Sequence, residues 1–75
     1  MDKVFKALAD PVRRELLDRL RFANGQTLSA LSVNLLMSRQ AVMKHLDVLE
    51  EAEMISTIKF GREKYHFLNQ QTFIV

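Results

Sequence analysis

The sequence contains no cysteine, which excludes disulfides, thiolate-bound metal and a thiol nucleophile together. Pro11 is its one proline, and Gly25 and Gly61 are its only glycines. A glycine-rich phosphate loop is therefore absent, as is any linker. Histidine is nearly as scarce, with only His45 and His66. No apolar run approaches the roughly 20 residues of a membrane span. The opening Met1-Asp2-Lys3-Val4-Phe5-Lys6 places charges where a secretory signal needs an apolar stretch. The expectation is a soluble, cytoplasmic protein with no membrane partner. Glu15, Asp18 and the histidines form neither a nucleophile–base pair nor facing carboxylates, so no enzyme is expected. The net charge is only +2. That permits a nucleic-acid partner without demanding one, and the placement of the charges matters more than their sum.

What the chain does contain is ordinary globular material: 75 residues, 48% hydrophobic and 27% charged. This length makes one domain, residues 1–75, with a thin core that gains from a partner subunit. The periodicity predicts helices over about 3–8, 11–22, 28–35 and 38–53, and a hairpin over about 55–68. Asp10 caps the second helix ahead of Pro11 at its first position. Val12, Leu16, Leu17 and Leu20 form its apolar stripe, while Arg13, Arg14, Asp18, Arg19 and Arg21 fill its polar side. Asn24-Gly25 ends it. Thr27 caps a third helix whose apolar face is Leu28, Leu31 and Leu35, and a short turn follows at Leu36-Met37. Ser38 then caps a fourth helix with the stripe Val42, Leu46, Leu49 and Ala52. Beyond Met54 the period changes from helical to alternating, with Gly61-Arg62 as the turn between two strands. The fold class is thus mainly α with a small β-hairpin.

Two helices joined by a tight turn, the second led by Ser38-Arg39-Gln40, give a helix-turn-helix pattern. The major groove of DNA admits one helix, and polar residues in its first turns reach base edges. Because Val42, Leu46 and Leu49 define the buried face, Gln40, Lys44 and Asp47 lie roughly opposite, flanked by Arg39 and Met43. Arg39 suits bidentate contact with guanine and Gln40 with adenine. Lys44 suits a base or a phosphate, and Ser38 can cap its helix and donate to phosphate. Lys59, Arg62 and Lys64 surround the hairpin tip, where a basic wing would grip flanking phosphates. Glu50, Glu51 and Glu53 cluster at the far end of the fourth helix and read as solvated. A protein-interaction module is the other reading of this pattern. Exposed Met43 leans toward it, and the basic tip with Arg39 and Lys44 leans away.

Three stretches resemble the ArsR/SmtB type of winged helix-turn-helix repressor. They are the opening Phe5-Lys6-Ala7-Leu8-Ala9-Asp10-Pro11-Val12-Arg13-Arg14-Glu15-Leu16-Leu17, the helix Ser38-Arg39-Gln40-Ala41-Val42-Met43-Lys44-His45-Leu46-Asp47-Val48-Leu49-Glu50, and the wing Gly61-Arg62-Glu63-Lys64-Tyr65. The resemblance spans about residues 3–68. It implies a homodimeric repressor on a palindromic operator in double-stranded DNA, with contacts from Ser38, Arg39, Gln40, Met43, Lys44, Arg62 and Lys64. Met43 stands where the family usually has a small hydroxyl residue; it can touch a thymine methyl instead. The family dimerises through its first and last helices, which here points to Val4, Phe5 and Leu8, with Phe73 and Ile74 of the apolar end. Metal-sensing members carry a cysteine pair on the third helix, whereas this chain has Leu28-Ser29-Ala30-Leu31-Ser32-Val33. No metal and no cofactor are expected, and His45 and His66 read as packing or surface residues.

Overall fold

Three of the helices begin where a side chain satisfies the first free backbone N–H groups. The computed structural model describes residues 2–69. In chain order these form α1 (Asp2–Leu8), α2 (Pro11–Phe22), α3 (Leu28–Leu31), α4 (Arg39–Glu51), β1 (Ile55–Phe60) and β2 (Glu63–Leu68). The Asp10 carboxylate accepts from the Val12 and Arg13 amides at 2.8 and 3.3 Å. The Thr27 hydroxyl accepts from Ala30 at 3.2 Å and that of Ser38 from Ala41 at 3.1 Å. All three caps are those the sequence predicts. Phe73 and Ile74 lie outside the described residues.

Two helix ends differ from expectation. The third helix is a single turn that stops at Leu31 rather than at Leu35. The Ser32 hydroxyl turns back to the Leu28 carbonyl, and Asn34 takes φ 63, a left-handed conformation that ends helical hydrogen bonding. Leu35 still packs against the core, but from the turn. The fourth helix ends at Glu51 rather than Glu53. Glu53 takes φ 59, its amide donates to Glu50, and the Met54 amide donates to Leu49 at 3.0 Å. This is the paired pattern of a Schellman end, with buried Met54 covering it.

The core is one cluster in which Leu16, Leu17 and Leu20 of α2 meet Leu31 of α3 and Val42, Leu46 and Leu49 of α4; Ala7, Ala52, Met54 and Ile55 close it. Fully burying a side chain of this size contributes about 1.5–3 kcal/mol. The exposed Arg21–Asp18 pair, 3.9 Å apart, adds about 0–1 kcal/mol. Burial therefore sets the helix arrangement. The strands pair antiparallel from Ile55↔Leu68 to Phe60↔Glu63. A second contact anchors the hairpin: Gln26 and His66 exchange backbone hydrogen bonds of 3.1 and 2.8 Å, and the Asn24 side chain accepts from the Leu68 amide at 2.8 Å. The loop after α2 thus serves as a one-residue third strand.

Both glycines have positive φ, but they differ in surroundings. A Cβ at Gly25 would lie 2.6 Å from the Phe67 ring, whereas at Gly61 it would meet nothing within 4 Å. Gly25→Ala is expected to cost about 2–3 kcal/mol, combining left-handed strain with overpacking, and Gly61→Ala about 1 kcal/mol from strain alone. Urea unfolding of the two variants checks the order.

Candidate nucleic-acid interface

The burial of Val42, Leu46 and Leu49 leaves the opposite side of α4 in solvent. Ser38, Arg39, Gln40 and Lys44 are all exposed, and Met43 between them is 49% exposed. Arg39 and Gln40 occupy the first turn because Ser38 starts the helix there. Asp47 continues the same surface one turn further on.

Residues alternate across a strand, so the hairpin has two distinct faces. Thr57 faces α4, because its hydroxyl donates to the Glu50 carboxylate at 3.1 Å. Lys59 lies two residues from Thr57 on that face, and Lys64 is its direct partner in the register. Ile58, Phe60 and Tyr65 lie on the other face. Arg62 is exposed in the two-residue loop, where Gly61 takes φ 63. A groove of ≈ 290 Å³ runs between helix and hairpin, lined among others by Met43, Asp47 and Glu50 from α4 and by Thr57, Lys64 and His66 from the strands. Of the residues predicted from sequence, Met43 on the helix and Lys64 on the hairpin line this groove together.

The expected dimer residues are not equivalent. Phe5 is 65% exposed, while Val4 and Leu8 pack against the chain's own core.

Several residues have more specific surroundings than the sequence suggests. Arg13, Arg14 and Arg19 do more than cover the polar side of α2. Arg13 donates to the Ala7 and Lys6 carbonyls at 2.8 and 3.0 Å, and Arg14 to that of Leu8 at 2.6 Å. Arg19 donates to Leu31 at 3.1 Å and to Val33. These carbonyls are at or just past the ends of α1 and α3, where a cation offsets the helix dipole. Arg13 also meets His45 Nδ1 at 3.2 Å. A guanidinium only donates, so that nitrogen accepts and the ring proton is on Nε2. Glu50 is not merely solvated, because it holds Thr57. Glu50 gives no local signal for this, since its partner is on another element. The pairing of Thr57 with His66, by contrast, follows from counting outward from the Gly61-Arg62 turn. Among the described residues, no three His, Asp or Glu side chains come together closely enough to hold a metal ion. No helix among them is long and apolar enough to cross a membrane.

Two helices, a one-turn helix connected through residues 32–38 to a fourth helix with one exposed side, and a following hairpin define a winged helix-turn-helix protein. A helix-turn-helix domain family matches residues 8–58. The transcriptional repressor SdpR of Bacillus subtilis (strain 168) is 36% identical over 69 residues, covering 92% of this chain and 76% of the repressor. The uncharacterized HTH-type transcriptional regulator YuzN of the same organism is 37% identical over 76 residues, covering 93% and 83%. The structure of an ArsR-like transcriptional regulator from Rhodococcus sp. RHA1 superposes with a TM-score of 0.84 at 36% identity, covering 96% of this chain and 67% of that one. This chain belongs to the ArsR-type winged helix-turn-helix transcriptional regulators, a DNA-binding and non-enzymatic family.

Burial pushes the His66 imidazole below its ordinary value of 6.5, aided by Lys64 and opposed by Glu50 and Asp47. The folded chain therefore stays neutral at His66 to lower pH than the unfolded chain does. The stability this contributes is complete above 6.5 and falls as pH drops toward the lowered native value. Urea unfolding between pH about 7.5 and about 5 is expected to show this loss, with a slope of at most about 1.4 kcal/mol per pH unit for one proton. His66→Gln is expected to flatten it.

Proposed function

We propose that this chain is a repressor that binds a two-fold symmetric operator as a homodimer, with α4 in the major groove and the hairpin on the flanking phosphates. The observation that supports this reading is the groove between α4 and the hairpin, lined by Met43 on one side and Lys64 on the other. Arg39, Gln40, Met43 and Lys44 stand in solvent on the helix, and Lys59 and Lys64 pair on the face of the hairpin that carries Thr57. In this reading Arg39 and Gln40 read bases, and Met43 contacts a thymine methyl. Ser38, Lys44, Lys59, Arg62 and Lys64 hold the backbone. The lysine pair supports the role of the wing. Like charges directly opposite each other destabilise a hairpin, by an amount on the order of 0.2–1 kcal/mol, and an anion between them reverses the sign. Phe5 supports the dimer, since a large aromatic on a short terminal helix gains by packing against a second copy. Release without a bound metal and action in the cytoplasm complete the proposal.

Binding is tested by fluorescence anisotropy, first with random duplex DNA and then with duplexes selected from it. Arg39→Ala is expected to cost about 1–3 kcal/mol on a selected site and far less on random DNA. Arg62→Ala is expected to weaken both equally and to reduce the slope of log affinity against log salt by about one. Equal losses on both DNAs for Arg39→Ala would remove it from base readout. In sedimentation at micromolar concentration the wild-type chain is expected as a dimer and Phe5→Glu as a monomer; a wild-type monomer overturns the dimer.

A further inference from the structure

We propose that Glu50, Thr57 and His66 form a latch that fixes the hairpin against α4, so that the wing lysines meet phosphate when the helix enters the groove. The latch rests on the DNA-binding reading above and adds positioning residues to it.

The three groups form a chain across three elements. Thr57 Oγ1 donates to Glu50 Oε2 at 3.1 Å and lies 3.1 Å from His66 Nδ1. A hydroxyl has one proton, and here it goes to the carboxylate, so the Thr57 oxygen must accept from His66 Nδ1–H. The imidazole proton is thereby assigned to Nδ1. Thr57 and His66 are direct cross-strand partners, and the His66 backbone is tied to Gln26. One end of the chain is thus bound to the frame through the loop after α2, and the other ends on the helix that carries Arg39 and Lys44. His66 is only 9% exposed, which limits the access of water to its bond to Thr57. Lys59 and Lys64 are the next pair outward on the same face. A rotation of the hairpin about its base would therefore displace them first. A two-stranded hairpin is too weakly held by its own ladder to resist such a rotation.

The sign of one mutational effect separates this role from simple charge. Glu50 is an acid in the groove that Lys64 also lines. Removing an acid near phosphate raises DNA affinity by electrostatics alone. The latch requires the opposite. Glu50→Ala, in the full chain, is expected to weaken binding to random duplex DNA about tenfold and to reduce the salt slope by about two as both lysines disengage. Glu50→Gln keeps an acceptor for Thr57 without the charge, and is expected to bind at least as tightly as wild type. Glu51→Ala removes an exposed acid outside the latch and is expected to leave binding unchanged or slightly tighter. Thermal melting of each variant gives the folded fraction. Amide hydrogen exchange gives a second readout that needs no DNA: Glu50→Ala and Thr57→Val are expected to speed exchange in the hairpin about tenfold with α2 and α4 unaffected, and Thr57→Ser to restore protection. The latch is overturned if Glu50→Ala and Glu50→Gln change affinity alike, or if Glu50→Ala tightens binding as Glu51→Ala does. If the wild-type chain binds no DNA, the DNA-binding reading fails by itself, and hairpin exchange then decides the latch: unchanged exchange removes it.

Discussion

The rotation of α4 about its own axis is the constraint on which the surface of this protein depends. Val42, Leu46 and Leu49 are buried against the other helices, and turning the helix would expose them. At about 1.5–3 kcal/mol for each such side chain, no surface interaction in the molecule competes. Arg39, Gln40, Met43 and Lys44 are outward because these apolar residues are inward. The chemistry of the exposed helix face is in this sense a by-product of core packing, and its placement is fixed for the same reason.

A domain this small has many helix ends for its length, and each leaves backbone groups to satisfy. Side chains from α2 supply much of what the carbonyls need. Arg13 and Arg14 close α1, and Arg19 reaches the end of α3. The arrangement makes α2 a strut that touches every other helix both through its apolar stripe and through its arginines. It also explains why a basic composition here is not simply a nucleic-acid signal. Arg13, Arg14 and Arg19 are committed to the carbonyl ends of helices, whereas Arg39, Lys44, Lys59, Arg62 and Lys64 are exposed on α4 and the hairpin.

The hairpin is the element least able to hold itself, and the structure ties it down at two places. Gln26 adds a backbone bridge at its base, and Glu50 reaches Thr57 from α4. Both contacts connect it to parts of the chain far away in sequence. Outward from the buried Ile55 and its partner Leu68, the side of the hairpin facing α4 is polar and then basic; the other side carries Ile58, Phe60 and Tyr65. This division lets the wing share one surface with the helix instead of standing apart from it.

Much of this was legible from the sequence, because local physics decides it. Asp10, Thr27 and Ser38 announce helix starts through hydroxyl or carboxylate groups that reach amides two or three residues on. The stripe of Val42, Leu46 and Leu49 and the switch to alternation after Met54 depend only on the period of each element. The resemblance of the three motifs to the ArsR type followed from residues in a row. Tertiary structure decided what sequence period cannot carry. The third helix stopped early because Ser32 and Asn34 favour local turn bonds, and Arg19 was in place to take the carbonyls left over. The fourth helix ended where Glu53 could turn left-handed and seat Met54 in the core. Glu50 became a contact to the hairpin, and Arg13, Arg14 and Arg19 became caps for other helices. The two helix ends are set by turn bonds within a few residues that the period does not register, whereas the contacts of Glu50, Arg13, Arg14 and Arg19 pair residues on different elements, and such pairs exist only once the apolar stripes have packed and set the distances between them.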